Sequence, residues 1–171
     1  MKRLFTLFFL LAVFTSFAQK PVFKETKGNS NFTVQIPDYM IADDSLNAQA
    51  SLQYSCAAQE IYIIVIVDSK QELKDAGSEY TLQTYYDFAA KNIQSMVESP
   101  NLEKPEKSKT NGNTSLTGTI TGKFREYDIF YKLEIVESEK KFYQVLAWTL
   151  ASNKKKYGKD IDTMLKSLKE I

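Results

Sequence analysis

Histidine is absent from all 171 residues. That removes His-containing triads, the commonest zinc ligand sets and imidazole general bases. Reaction chemistry would have to rest on carboxylates, lysines, tyrosines or the single thiol, Cys56. Cys56 closes the segment Ser51-Leu52-Gln53-Tyr54-Ser55-Cys56, in which Leu52, Tyr54 and Cys56 alternate with polar residues. The alternation puts the thiol on the apolar face of a strand, where it packs as a small hydrophobe. A nucleophilic or redox role would need a basic neighbour to favour the thiolate, and no imidazole exists to supply one. One cysteine also excludes an internal disulfide.

The remaining constellations read as structural before they read as chemical. Asp38, Asp43 and Asp44 cluster in one segment, but they lack the glycine and terminal glutamate of an EF-hand loop, so a solvated turn is expected and no metal site. Glu134 and Glu137 have no partner that would make them an acid–base pair. Lys154, Lys155 and Lys156 stand at the start of a predicted helix, where cations oppose the helix dipole. They read as a solvated loop, with an anion or phospholipid contact as the functional reading. Gly118 and Gly122 share one strand face with Leu116, Ile120 and Phe124. A glycine inside a strand marks a bend or a close approach. The structural expectation is room for a bulky neighbour such as Tyr86 or Trp148. The functional one is the floor of a cleft between sheet and helix, with Gly118, Gly122, Tyr86 and Trp148 as candidate lining residues. No catalytic residue and no cofactor-binding residue is assigned.

The elements that would position these side chains are legible from hydrophobic period. Phe32, Val34 and Ile36 alternate with Thr33 and Gln35, and Pro37 ends that strand; Pro21 to Glu25 reads as its hairpin partner across a Gly-Asn-Ser turn. A third strand covers about Ala50 to Ala57. Residues 61–67, Ile-Tyr-Ile-Ile-Val-Ile-Val, are apolar on both faces, as in a strand covered on each side. Residues 68–78 carry a turn or a short helix. Leu82, Tyr86, Ala89, Ile93 and Met96 form one stripe at helical spacing, widened by Tyr85, Phe88 and Val97, which predicts a helix from about Thr81 to Glu98. Pro100 to Lys109 reads as a loop or an edge strand. Asn111-Gly112-Asn113 is a hairpin turn. Three long strands follow, the last from Phe142 to Leu150. Tyr157, Ile161, Met164, Leu165 and Leu168 then predict a closing helix from about Lys154 to Lys169. Short turns between consecutive strands imply antiparallel pairing. The fold class is therefore α+β: a twisted antiparallel sheet of about six to seven strands flanked by two main helices.

The first residues set the compartment. Lys2 and Arg3 precede an apolar run from Leu4 to Phe14, and Ser16-Phe17-Ala18 offers small residues at both positions that a signal peptidase reads. This is the pattern of a secretory signal peptide over residues 1–18, cleaved near Ala18, with residues 19–171 as one domain. The run is short for a membrane span, which takes about 20 apolar residues, and no cysteine follows it to carry a lipoprotein anchor. The mature chain is expected in the periplasm or outside the cell, with no transmembrane span. Its charge is nearly balanced, with 22 Lys and Arg against 21 Asp and Glu in the full chain. A nucleic-acid footprint would require a basic excess.

Three segments together resemble the PsbP-like family, whose namesake is an extrinsic protein of photosystem II. The first is the hairpin ending in a proline and an aromatic, here Phe32-Thr33-Val34-Gln35-Ile36-Pro37-Asp38-Tyr39. The second is the long mid-chain helix after a hydrophobic strand pair. The third is the last strand running directly into a C-terminal helix, Phe142 to Leu150 and then Tyr157 to Leu168. The resemblance implies an antiparallel sheet between helices and a non-catalytic accessory or binding role; it carries over no individual functional residue. The leading functional expectation is thus an exported soluble binding or accessory protein of the cell envelope, monomeric, with an unknown protein or small-molecule partner and no cofactor. The alternative is a carrier of a small apolar or amphipathic ligand in a cleft between sheet and helix. A His-free hydrolase comes last.

Overall fold

The computed structural model describes residues 20–171; the segment read as a signal peptide lies outside them. The chain begins with a hairpin, β1 (Phe23–Gly28) and β2 (Phe32–Pro37), followed by a two-residue strand β3 (Ile41–Ala42). Then come β4 (Leu52–Cys56), β5 (Ile61–Ser69), a short helix α1 (Lys70–Asp75) and the long helix α2 (Leu82–Gln94). Two short strands, β6 (Glu98–Leu102) and β7 (Glu106–Thr110), lead into β8 (Asn113–Phe124), β9 (Tyr127–Glu137) and β10 (Lys141–Leu150). Helix α3 (Lys154–Lys166) and a final two-residue strand β11 (Lys169–Glu170) complete it.

The α+β class holds, with every strand pairing antiparallel. The strands number more than the six or seven expected and divide into two sheets. The main sheet has eight, in the order β3-β4-β5-β10-β9-β8-β6, with β7 also on the free edge of β8. The second sheet has three, β1-β2-β11. Alternation told which face of β2 is buried, but not that its hairpin would leave the main sheet and lie across it.

The main sheet separates two cores. On one face Ile61, Ile63 and Val65 of β5 and Tyr143, Val145 and Ala147 of β10 pack against Phe32, Val34 and Ile36 of the small sheet and Tyr157, Ile161, Met164 and Leu165 of α3. On the other, Ile120, Leu133, Ile135 and Phe142 pack against Leu82, Tyr85, Tyr86, Ala89 and Ile93 of α2. This is why residues 61–67 are apolar on both sides: β5 supplies both cores.

Local chemistry explains the element ends. Thr81 caps α2, its side chain and that of Thr84 each accepting from the other's backbone N–H. The helix stops at Gln94, earlier than the stripe implied, because residues from Glu98 onward pair with β8 instead. Met96, read as part of the stripe, is consequently 52% exposed. Asn111 and Gly112 both have positive φ, 47° and 91°, as a two-residue hairpin between Thr110 and Asn113 demands. Helix α3 ends at Lys166, where the Ser167 hydroxyl accepts the backbone N–H of Gln35 at 2.8 Å. Leu168 then enters the core with no exposed surface, and the chain joins β2 as β11 rather than prolonging the helix.

Candidate functional site

Register across three central strands sets Tyr62 of β5, Trp148 of β10 and Tyr131 of β9 abreast. Tyr62 and Trp148 stack with centroids 5.1 Å apart and planes 13° apart; Tyr131 and Trp148 are tilted at 6.2 Å. Helix α2 crosses β6, β8 and β9 and packs on them. It does not reach this end of β10 and β5, so Tyr62 and Trp148 remain partly open to solvent. At the same end the β8–β9 turn carries Phe124 and Tyr127 as a cross-strand pair, 47% and 51% exposed. Arg125, at the turn with φ 57°, lays its guanidinium 5.5 Å from the Phe124 ring. The Tyr62 hydroxyl donates to Glu60 at 2.8 Å, and burial, with that carboxylate, pushes its pKa up to about 12.

The two glycines face α2. A Cβ on Gly118 would stand 2.0 Å from the Tyr86 hydroxyl oxygen, and one on Gly122 would stand 2.5 Å from a methyl of Val97. Tyr86 and Val97 thus occupy the notches that the glycines leave. Trp148 belongs to the row between them, in line with Tyr131 and Ile120. The Tyr86 hydroxyl is buried without a hydrogen-bond partner, and burial pushes its pKa up to about 12. Of the four candidates, Gly118 and Tyr86 are in contact, Gly122 meets Val97, and Trp148 stacks on Tyr62 instead.

Of the four candidates Gly118 does border a cleft, but on the sheet face away from Tyr86. On the α3 side of the sheet one of about 280 Å³ is bordered by Ser108, Thr117, Gly118, Thr119, Lys132 and Lys166. A wider one of about 550 Å³ between α3 and the small sheet includes Thr33, Gln35, Asn111, Asp162, Lys166 and Lys169. A third of about 180 Å³ is walled by α1, Tyr80 and Phe142. Glu134 is the one carboxylate among the buried polar side chains of the described residues, with no exposed surface. One oxygen accepts from the Thr110 hydroxyl at 2.5 Å, while the other has no partner. Burial raises its pKa, partly offset by hydroxyls of Thr110, Ser115 and Thr117 and by the Lys166 charge. Glu137 turns away and pairs with Lys70 at 2.8 Å. Lys132 pairs with Asp162.

The other sequence candidates are tied down locally. Asp43 accepts from the Ser45 hydroxyl at 2.6 Å and the Ser55 hydroxyl at 2.7 Å, which holds the loop after β3. Among the described residues no group of three or more Cys, Asp and Glu side chains is placed to hold a metal ion. Cys56 packs partly buried against the α3-side core. Lys154 lies with its ammonium 4.7 Å from the Phe130 ring, and Lys156 likewise over Tyr157.

No protein-family model and no curated protein matches this sequence. Solved structures do match in shape. The solution structure of cyanobacterial PsbP (CyanoP) from Synechocystis sp. PCC 6803 superposes with a TM-score of 0.63 at 13% identity, covering 90% of this chain and 95% of that one. The fold is PsbP-like. The same PsbP-like fold is shared with the Saccharomyces cerevisiae Ran-binding protein Mog1p, at TM-score 0.62, 8% identity and coverages of 88% and 96%. LpqN of Mycobacterium tuberculosis, described as involved in cell envelope biogenesis, follows at TM-score 0.60, 10% identity and coverages of 85% and 90%. The identities are low enough that the likeness establishes architecture alone. Among the described residues no helix is long and apolar enough to cross a membrane.

Proposed function

We propose that this PsbP-like protein is an exported, non-catalytic accessory module of the cell envelope that binds a protein partner through the aromatic end of its main sheet. The observation that carries this reading is the stacked, part-open pair Tyr62 and Trp148, backed by buried Tyr131 and continued by exposed Phe124 and Tyr127. Aromatic residues, Met and Arg are the types enriched at the centres of protein interfaces, with charged residues at the rim. Here Arg125 and Glu126, exposed in the β8–β9 turn between Phe124 and Tyr127, border that centre with charges of opposite sign. The leader-like first 18 residues and the envelope association of LpqN support the compartment. The two larger clefts are bordered by hydroxyl, amide and charged side chains, which gives the carrier alternative no apolar chamber.

The test is a pull-down from the envelope fraction with tagged mature protein, analysed by mass spectrometry for proteins and lipids. A stoichiometric protein partner is expected, retained by the wild type and weakened at least tenfold by Tyr127→Ala or Trp148→Ala. That loss corresponds to about 1.4 kcal/mol, above the roughly 1 kcal/mol that only a minority of interface residues exceed on truncation. Trp148 is the only tryptophan, so its emission should also shift on binding. Recovery of a stoichiometric lipid with no protein would overturn the proposal, as would a partner indifferent to both substitutions.

A further inference from the structure

Glu134 stands at the head of a chain of contacts that ends at the C-terminal strand. Its partner Thr110 is the last residue of β7 and is 2% exposed. The next residue, Asn111, donates its side-chain amide to the carbonyl of Leu168 at 2.7 Å and of Ser167 at 3.3 Å. These carbonyls close α3 and lead into β11, whose Glu170 accepts from the Tyr143 hydroxyl at 2.7 Å. The β7–β8 turn therefore clips the end of α3 and the strand that follows it, and Glu134 anchors the clip.

The anchor suits a neutral acid better than a carboxylate. Its second oxygen has no partner, and a buried charge left unpaired is far costlier than a buried acid. The charged groups around it do not supply a dedicated counter-ion. From α3, Asp162 is paired with Lys132, which shares a face of β9 with Glu134. Lys166 acts only at a distance. On β7, Glu106 stands in the same cross-strand row as Thr117 and Glu134 and adds a second acid, while exposed Lys107 and Lys109 alternate with Ser108, which bonds Ser115, and with buried Thr110. On β11, Glu170 is engaged by Tyr143, and Lys169 is exposed. The strand neighbours of Glu134, Thr117 on β8 and Val145 on β10, carry no charge.

We propose that Glu134 is a proton-operated latch: protonated, it holds the β7–β8 turn against α3 and β11; ionised, it releases them and uncovers the edge of β2 at Phe32 and Thr33. The sign follows from burial. The closed state holds its proton more tightly than the open one, so closure is fully favoured below the open-state pKa, about 4.3. It weakens as pH rises, until Glu134 ionises in the closed state as well.

The test is amide hydrogen exchange on the full mature protein across pH, corrected for the intrinsic pH dependence of exchange. Opening of residues 107–113 and 167–171 should rise by up to tenfold per pH unit above about 4.3 and then level off. Amides of β5 and β10 should not follow. Glu134→Gln should abolish the slope. Thr110→Val, which removes the anchoring hydroxyl, should raise exchange in the same segments at every pH. A flat wild-type profile, a slope that survives in Glu134→Gln, or a slope shared by β5 and β10 would each overturn the latch. Failure of Glu134→Gln to fold would leave the wild-type slope and Thr110→Val to decide. None of these readouts involves the aromatic end, so the result is independent of the partner-binding proposal.

Discussion

Gly118→Ala should destabilise the protein by about 1–3 kcal/mol, the usual range for forcing a methyl into a filled core. The added Cβ would stand 2.0 Å from the Tyr86 hydroxyl oxygen and 3.1 Å from the ring carbon that bears it. Tyr86 has no exposed surface and sits in the middle of the α2 interface, so the ring has nowhere to swing. Tyr86→Phe removes the clashing atom. It also removes a buried hydroxyl without a partner, so alone it should be close to neutral or slightly stabilising. Gly118→Ala in the Tyr86→Phe background should then cost less than about 1 kcal/mol, and the coupling should appear as a non-additive cycle by chemical denaturation. Additive losses would mean that the backbone at Gly118, not the Tyr86 contact, is what alanine disturbs.

Phe32→Ala should cost more, about 3–5 kcal/mol, the range for emptying a buried aromatic site. Phe32 has no exposed surface and meets Tyr143 edge-on at 5.7 Å, so it joins the small sheet to the main one. Its ring also lies over Gly28, within 2.1–2.7 Å of where a side chain there would begin. No neighbouring chain can easily collapse into the space it leaves. The loss should nevertheless appear as one transition. Both cores are built on β5, β9 and β10, so melting the α3 side should remove support from the α2 side. Trp148 reports on the α2 side of the sheet, opposite Phe32. Its fluorescence and the far-UV circular dichroism should give coincident midpoints in wild type and variant. Separate midpoints would divide the chain into two folding units and reject the expectation of a single domain.

Much of the fold was legible because it is written in short periods. The unbroken run at 61–67 announced a strand covered on both faces, Leu82 to Ile93 a helix with one buried stripe, and Asn111-Gly112 a tight hairpin. Each depends on residues within a few positions of one another. The misjudged ends have tertiary causes. Residues from Glu98 left the helix because β8 had an edge to pair with. Lys169 and Glu170 became strand because β2 had one too. The glycines at 118 and 122 were visible as notches, but nothing local could say that Tyr86 fills one and Val97 the other.

The surface proposed for binding was harder to see. Tyr62, Tyr131 and Trp148 are each one aromatic among many in the sequence, separated by 69 and 17 positions. Glu134 had the same difficulty, since alternation along β9 placed it on a face without saying whether that face was wet. By itself the sequence determined which side of each strand and helix is oily, where most turns fall, and that no imidazole is present for catalysis. Only the tertiary structure decided which strands are neighbours, and therefore which aromatics stand in a row and which acid is shut away from water. The reason is physical: a period of two or of 3.6 records the direction a side chain takes from its own backbone, whereas its contacts depend on the register of a partner strand that may lie anywhere in the chain.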